Sequence, residues 1–185
     1  MSDELHALFH PRSIAVIGAS TDAYKFGGMP VHYTKKLGFT GKLYPINPRA
    51  DEVQGLKSYP SVSAIDGDVD CAVVSVPASA VIDSITQCAE KGVRIAAVFS
   101  SSFAEAGADG KRRQDEMVAI ARQSGMRILG PNCMGAFCLD SGFFGTFTSS
   151  FEHHHGAGAP AVGQVSIASQ SGAIGTHIMV LLRER

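Results

Sequence analysis

The chain has 185 residues, of which 45% are hydrophobic and 18% are charged, and its 16 Lys and Arg nearly balance its 17 Asp and Glu. A chain of this length buries enough surface to fold without disulfides or metal. Its net charge of −1 provides no broad basic field, which argues against a nucleic-acid partner. Its 20 glycines exceed the usual share of about 7%, as is typical of tight turns and of backbone that approaches a ligand closely.

The predicted setting is a reducing one without a membrane. The N-terminus, Met1 to Glu4, begins with acidic residues and lacks the apolar core of a signal peptide. No apolar run approaches the roughly 20 residues that span a bilayer. The four cysteines contain no CxxC pair and are typical of free thiols in a reducing compartment. We therefore expect a cytoplasmic protein whose partners are small molecules or proteins.

Short apolar runs alternate with segments of helical spacing along the first 130 residues. The runs predict strands at 13–17, 42–46, 71–76, 95–99 and 127–129. Apolar residues spaced three and four apart predict a helix over 78–91 that Gly92 stops, and a second helix over 111–124 that Gly125 closes. Because strands and helices alternate with short connections, we expect an α/β fold built on a doubly wound parallel sheet.

This rhythm ends after residue 140. Residues 141–163 are rich in Gly, Ser, Ala and Pro, and we interpret them as a linker. A new unit then follows, with a predicted strand at 165–168 and a helix after Gly172. One strand and one helix cannot bury their own apolar faces, so we interpret 164–185 as the start of a truncated second domain. The alternative is that this last helix packs back on the first domain.

The predicted linker contains three consecutive histidines, His153, His154 and His155. Adjacent side chains cannot share one face of a helix or strand, and no cysteine or carboxylate stands at ligand spacing from them. We therefore predict no metal site in this chain.

The loop after the first strand has the character of a phosphate site. Gly18 suits a sharp turn, Ser20 and Thr21 offer hydroxyls, Lys25 offers a cation, and a helix begins at Gly27-Gly28. The start of a helix presents N–H groups and the positive end of its dipole to an anion. The dinucleotide fingerprint fails, however, since Ser20 and Ala23 stand where glycines are needed. The alternative is a turn that binds nothing.

The second predicted strand ends in Asn47, Pro48 and Arg49. An NAD site would place an acidic residue here for the ribose hydroxyls. A cation instead suits a ribose that carries a phosphate, as in NADP or the 3′-phosphoadenosine of coenzyme A. An ion pair of Arg49 with Asp51 or Glu52 is the alternative.

The remaining strand ends are polar or rigid. They carry Val76 and Pro77, then Ser100 and Ser101, then Asn132 and Cys133. No histidine stands near Cys133 in the sequence, so we do not expect it to be a nucleophile. The turn 169–172 opens the last helix with two serines, which indicates an anion site or else an ordinary helix cap.

Seven segments in order resemble the NDP-forming acyl-CoA synthetases, relatives of the succinyl-CoA synthetase alpha subunit. The resemblance covers residues 5–185 and rests on SIAVIGAS (13–20), YPINP (44–48), YPSV (59–62), VPA (76–78), FAE (103–105), GPNC (130–133) and SQSG (169–172). It implies that 1–140 form a Rossmann-like CoA-binding domain and that 164–185 open a flavodoxin-like ligase domain.

The resemblance also implies a set of CoA-binding residues. Those at the phosphates are Gly18, Ser20, Thr21, Lys25, Phe26 and Gly27, and those at the nucleotide end are Asn47, Pro48 and Arg49. Val76 and Pro77 would flank the adenine or the pantetheine. Those along the pantetheine are Phe99, Ser100 and Ser101, and those near the thiol are Asn132 and Cys133. A separate group, Ser169, Gln170, Ser171 and Gly172, would steady the phosphate of a phosphohistidine. We expect that a larger residue at Gly27 would block the phosphate and leave the fold intact.

The full enzyme that the resemblance implies joins a carboxylic acid to CoA through acyl phosphate and phosphohistidine, with ATP hydrolysed to ADP. We expect the phosphorylated histidine and the ATP-grasp domain, with its ATP and Mg²⁺, to lie outside these residues, in a fused segment or a separate subunit. The 185 residues would then bind CoA and hold no catalytic residue. Two alternatives are a CoA-sensing domain of a fused protein acetyltransferase and an NADP-binding oxidoreductase domain that rests on Arg49 alone.

Overall fold

The computed structural model of the chain describes residues 3–151 and 161–183. His153, His154 and His155 lie outside the described residues. In chain order the elements are α1 (Asp3–Phe9), β1 (Ser13–Ile17), α2 (Met29–Lys36), β2 (Lys42–Ile46), β3 (Glu52–Val53), β4 (Leu56–Lys57), β5 (Cys71–Val74), α3 (Val81–Glu90), β6 (Ile95–Val98), α4 (Ala108–Ser124), β7 (Arg127–Leu129), β8 (Gly135–Cys138), β9 (Phe143–Thr146) and α5 (Gly172–Arg183).

A five-stranded parallel sheet in the order β2-β1-β5-β6-β7 confirms the predicted doubly wound α/β fold. Strands β1, β5 and β6 are buried at every position, which is why their sequences are continuous apolar runs. Successive residues of β1 point to opposite faces, so Ala15 packs into the core beneath α3 and α4, whereas Val16 packs into the core on the other face.

The predicted helices form with shifted starts. The segment predicted as a helix over 78–91 begins with a 3₁₀ turn at Ala78–Ala80, and the α-helix α3 follows it. Helix α4 starts at Ala108, three residues earlier than expected, and ends where Gly125 adopts φ +77°. A left-handed residue of this kind closes a helix at no steric cost when it is glycine.

The interpretation of 141–163 as a linker is wrong for its first part. Strand β9 pairs with β8 in an antiparallel hairpin, and all four of its residues are buried. Phe143 and Phe144 are fully buried, and the Phe144 N–H donates to the Thr34 Oγ1 on α2 at 3.3 Å. The aromatic side chains of this segment therefore complete the first domain, which continues at least to Phe151.

The predicted strand at 165–168 does not form. These residues have no regular secondary structure and are exposed, and a strand needs a neighbouring strand to satisfy its backbone. Helix α5 does form, and it buries Met179 in a cluster with Tyr33, Phe144 and Phe151. The last helix therefore contacts the first domain, as the alternative interpretation expects. Residues 164–185 as the start of a second domain stay a prediction.

No helix within the described residues is long and apolar enough to cross a bilayer.

Candidate functional site

The loops that follow the parallel strands are joined to one another along the carboxyl edge of the sheet. At one side, the Asn47 amide donates to the Ala19 carbonyl at 2.9 Å, which ties the loop after β2 to the loop after β1. At the other side, the Ser100 hydroxyl donates to the Val76 carbonyl at 2.5 Å, and the Asn132 N–H donates to the Ser100 carbonyl at 3.0 Å. The strand order reverses between β1 and β5, where open α/β sheets bind their ligands.

The loops after β1 and β5 approach each other closely at the point where the strand order reverses. Gly18 has φ +81°, and a Cβ at this position would lie 2.2 Å from the Ser75 carbonyl oxygen. Only glycine allows β1 to turn sharply here against the end of β5. The predicted site residues on both sides of the reversal are thereby brought to one edge.

The loop from Gly18 to Gly28 folds back on itself. The Ser20 N–H donates to the Gly27 carbonyl at 3.3 Å, so the two ends of the loop lie side by side. The N–H groups of Gly28 and Met29 both donate to the Lys25 carbonyl, at 2.8 and 2.9 Å. These bonds form a compact turn that leads directly into α2.

Four N–H groups of this loop remain available to a ligand. Within residues 3–151 and 161–183, the N–H groups of Thr21, Ala23, Phe26 and Gly27 donate to no protein acceptor. The exposed Lys25 forms no ion pair in the same part of the chain. Backbone donors, a helix start and an unpaired cation make an environment that suits a phosphate.

The expectation that a larger residue at Gly27 leaves the fold intact is wrong. A Cβ at Gly27 would lie 2.0 Å from the Gly18 carbonyl oxygen, and one at Gly28 would lie 1.8 Å from the Asp22 carbonyl oxygen. Both contacts are with backbone, which cannot rotate away. These glycines close the loop, and any effect on a phosphate is secondary.

At the end of β2, Asn47 shapes the turn that carries Arg49. The Asn47 Oδ1 accepts the Arg49 N–H at 2.9 Å, an arrangement typical of an Asx turn. Arg49 is exposed, and the alternative ion pair with Asp51 or Glu52 is absent from the described part of the chain. Its guanidinium therefore faces solvent at the site without a protein partner, as does the neighbouring Pro48 ring.

A row of three aromatic rings lies behind the polar edge. The Phe26 and Phe147 ring centroids are 4.8 Å apart, and those of Phe147 and Phe99 are 4.9 Å apart. Phe26 is 64% exposed and Phe99 only 8%, so Phe99 is the buried end of the row and Phe26 the exposed end. Sequence reasoning missed Phe147 because it falls in the segment interpreted as a linker. The three aromatic residues of the stretch FFGTF, which are uncommon in a linker, were the signal that could have found it.

Cys133 is held as a neutral thiol. Its Sγ lies 3.4 Å from both the Val98 and the Leu129 carbonyl oxygens, and burial raises the pKa of the thiol. A thiol with a raised pKa is a poor nucleophile. The adjacent Asn132 is exposed and left-handed at φ +55°, beside exposed Ser101.

The serines of the turn 169–172 are used in capping α5. The Ser171 Oγ accepts the Ile174 N–H at 3.4 Å, and the Ser169 Oγ accepts the Ser171 N–H at 3.2 Å. Ser171 is thus an N-cap, which is the alternative that the sequence left open. Gly172 packs against Met134, since a Cβ there would lie 2.1 Å from the Met134 Sδ. Binding of an anion by Ser169, Gln170, Ser171 and Gly172 stays a prediction.

The order and direction of the strands define a Rossmann-like α/β domain. Residues 12–138 match the model of a family described as the CoA binding domain. The chain belongs to this CoA-binding domain family.

Proteins similar to the chain point the same way. The acetate–CoA ligase (ADP-forming) II subunit alpha of Pyrococcus furiosus is 42% identical over 175 residues, which cover 95% of the chain and 36% of that protein. The dinucleotide forming acetyl-coenzyme A synthetase 1 of Ca. Korarchaeum cryptofilum, solved with phosphate and ADP, is 37% identical at a TM-score of 0.81, covering 99% of the chain and 37% of that protein. A protein from Pyrococcus horikoshii OT3 whose crystal structure is known is 39% identical to the chain at a TM-score of 0.87. The match covers 97% of the chain and 39% of that protein. The chain therefore spans between a third and two fifths of the length of these relatives.

Proposed function

We propose that the chain binds coenzyme A along the carboxyl edge of its sheet. The observation that carries this proposal is the pair of exposed cations Lys25 and Arg49, which stand on the loops after the adjacent strands β1 and β2 and form no ion pair within the described residues. Coenzyme A carries two separate anionic groups, a pyrophosphate and a ribose 3′-phosphate. The loop of Lys25 suits the pyrophosphate, and Arg49 suits the 3′-phosphate.

The rest of the edge suits the uncharged part of the same ligand. Val76 and Pro77 offer an apolar ledge after β5, and Ser100 and Ser101 follow β6. Pantetheine is a flexible chain with amide groups, which need both apolar contact and hydrogen-bond partners. Its thiol end would lie near Asn132 and Cys133, with no activated protein thiol to compete with it.

In the whole protein, we propose, this domain is the CoA-binding portion of an ADP-forming acid–CoA ligase. The support is the 42% identity with an acetate–CoA ligase subunit over 95% of the chain. The ligase would convert a carboxylic acid, with ATP and Mg²⁺ bound elsewhere, through acyl phosphate and phosphohistidine to an acyl-CoA. Ser169 to Gly172 would then serve the phosphate, and 164–185 would begin the ligase domain. The chain by itself would bind CoA without turnover.

The cellular setting that we propose is the cytoplasm. All four cysteines, Cys71, Cys88, Cys133 and Cys138, are free thiols, as is usual in a reducing compartment.

Isothermal titration of the chain with three ligands tests the proposed function. We expect CoA to bind, dephospho-CoA to bind more weakly because it lacks the 3′-phosphate, and NADPH to produce no saturable heat. Heat with NADPH and none with CoA would refute the proposal and favour an NADP-binding oxidoreductase domain. The ligase assignment has a separate check in any sequence that the gene encodes after Arg185, where an acetyltransferase fold would favour the CoA-sensing alternative.

A further inference from the structure

The short hairpin of β3 and β4 turns at Gln54 and Gly55. Val53 pairs with Leu56, so these two residues form the whole turn, with φ values of +52° and +80°. Two-residue turns with both φ values positive favour Asn-Gly or Gly-Gly, and a long side chain at the first position carries a conformational cost. Gln54 therefore occupies a backbone conformation that glycine would adopt at a lower conformational cost.

The Gln54 side chain reaches across to the phosphate loop. Its Nε2 donates to the Ser20 carbonyl at 2.9 Å and to the Gly28 carbonyl at 3.1 Å. Both hydrogens of the amide are thus used on the two ends of one loop. The backbone of Gln54 is itself held in place, because the Lys35 Nζ on α2 donates to the Gln54 backbone carbonyl at 2.6 Å.

We infer that Gln54 is a positioning residue for the phosphate loop, an inference that rests on the proposed binding of CoA. The amide is neutral and half-buried, so it adds no charge for the ligand. Its effect is to hold Ser20 and Gly28 together, and with them the intervening N–H groups of Thr21 and Gly27. A loop ordered before binding loses less conformational entropy when a phosphate arrives.

The test is the substitution Gln54→Gly, which removes the amide and suits the positive φ. The two effects oppose each other in stability, so the thermal midpoint should stay near that of the wild type. The dissociation constant for CoA should rise about tenfold, as expected for the loss of hydrogen bonds that order the site. If Gln54 served only the stability of the fold, the substitution would not lower the CoA affinity while the thermal midpoint stayed unchanged.

Hydrogen–deuterium exchange on the protein without ligand provides a second readout. In the wild type, the amides of Ser20, Gly28 and Met29 are hydrogen-bonded within the loop and should exchange slowly. In Gln54→Gly, the peptide that covers 18–28 should exchange faster. Unchanged exchange together with unchanged CoA affinity would overturn the inference.

Gln87 offers a matched control on α3. Its Oε1 accepts the Val62 N–H at 3.2 Å, and its Nε2 donates to the Asp83 Oδ2 at 2.8 Å. Gln87→Ala therefore also removes two hydrogen bonds, away from the phosphate loop, and should leave both readouts unchanged. An equal loss of CoA affinity in Gln87→Ala would refute a specific role of Gln54. If the wild-type protein bound no CoA, the proposed function would be refuted. Faster exchange in Gln54→Gly would then show that Gln54 orders the loop of residues 18–28 without serving CoA binding.

Discussion

The Asn47 side chain bonds the Ala19 carbonyl at 2.9 Å with its amide nitrogen, while its amide oxygen holds the Arg49 N–H at 2.9 Å. One residue thus anchors the loop after β2 to the loop after β1 and sets the turn that presents Arg49. Because both halves of the amide are used, the backbone of Arg49 is fixed relative to the loop of residues 18–28 by hydrogen bonds. This relation makes Arg49 the residue that we expect to discriminate ligands with and without a ribose phosphate.

The substitution Arg49→Glu should therefore weaken CoA more than dephospho-CoA. Loss of a charge-assisted hydrogen bond and its replacement by a repelling charge should raise the CoA dissociation constant by about tenfold or more. Binding of dephospho-CoA should change by a much smaller factor. Titration calorimetry with both ligands measures the ratio.

Arg122 provides the matched control for Arg49→Glu. It is exposed in the last turn of α4, near the opposite edge of the sheet, because helices run back against the strands in a βαβ unit. Arg122→Glu changes the net charge equally and should affect neither ligand. Equal weakening of CoA and dephospho-CoA in Arg49→Glu would show that Arg49 does not contact the 3′-phosphate.

Gly27→Ala should destabilise the whole domain. Its Cβ would lie 2.0 Å from the Gly18 carbonyl oxygen, and overpacking costs about 1–3 kcal/mol. Urea denaturation followed by circular dichroism measures the loss. Gly163→Ala is the control, because no atom lies within 4 Å of a Cβ at that position, and its midpoint should equal that of the wild type. A stable Gly27→Ala protein with normal CoA affinity would contradict the close approach of the two ends of the loop.

Phe144→Ala should destabilise the domain although the composition of its segment is typical of a linker. Phe144 is fully buried and packs edge-on against Phe151, with ring centroids 4.9 Å apart. Truncation of a buried phenylalanine costs about 3–5 kcal/mol. Phe26→Ala is the control, because a ring that is 64% exposed contributes little to stability. Equal urea midpoints for the two variants would show that β9 is not part of the core.

The sheet could be predicted from sequence, because its central strands β1, β5 and β6 are buried on both faces and appear as unbroken apolar runs. The runs at 13–17, 42–46 and 127–129 match β1, β2 and β7 residue for residue. The hairpin of β8 and β9 could not be predicted in the same way, because its glycines and serines resemble those of a loop. Its burial depends on packing against α2, more than 100 residues earlier.

The loop of residues 18–28 could be recognised from sequence as a turn, but its geometry could not. A glycine after an apolar run signals a turn, which is enough to single out Gly18 and Gly27, whereas their mutual contact requires the folded loop. Gln54 escapes sequence reasoning because its partners Ser20 and Gly28 lie 34 and 26 residues away. Contacts of this kind depend on how a hairpin docks, and no periodicity records them.

Asp70, which lies at the amino ends of the parallel strands just before β5, should make the stability of the protein depend on pH. Burial acts to raise the pKa of its carboxyl, but hydrogen bonds from the Arg12 side chain and N–H, with the charges of Arg12 and Arg94, outweigh burial, so that the pKa is lowered. A carboxylate whose pKa is lower in the folded state stabilises the protein fully above its unfolded pKa of about 3.9. That contribution is lost as the pH falls from there through the folded pKa.

The substitution Asp70→Asn tests this dependence. It should lower the free energy of unfolding at pH 7 by roughly 2 kcal/mol, since it removes charge-assisted hydrogen bonds and leaves Arg12 without its partner. The loss of stability between about pH 5 and pH 2, measured by urea denaturation, should be shallower than in the wild type. Asp115→Asn, which breaks an exposed pair with Lys111, should cost less than about 1 kcal/mol and keep the wild-type pH profile. A pH profile for Asp70→Asn as steep as that of the wild type would mean that other carboxylates govern acid unfolding.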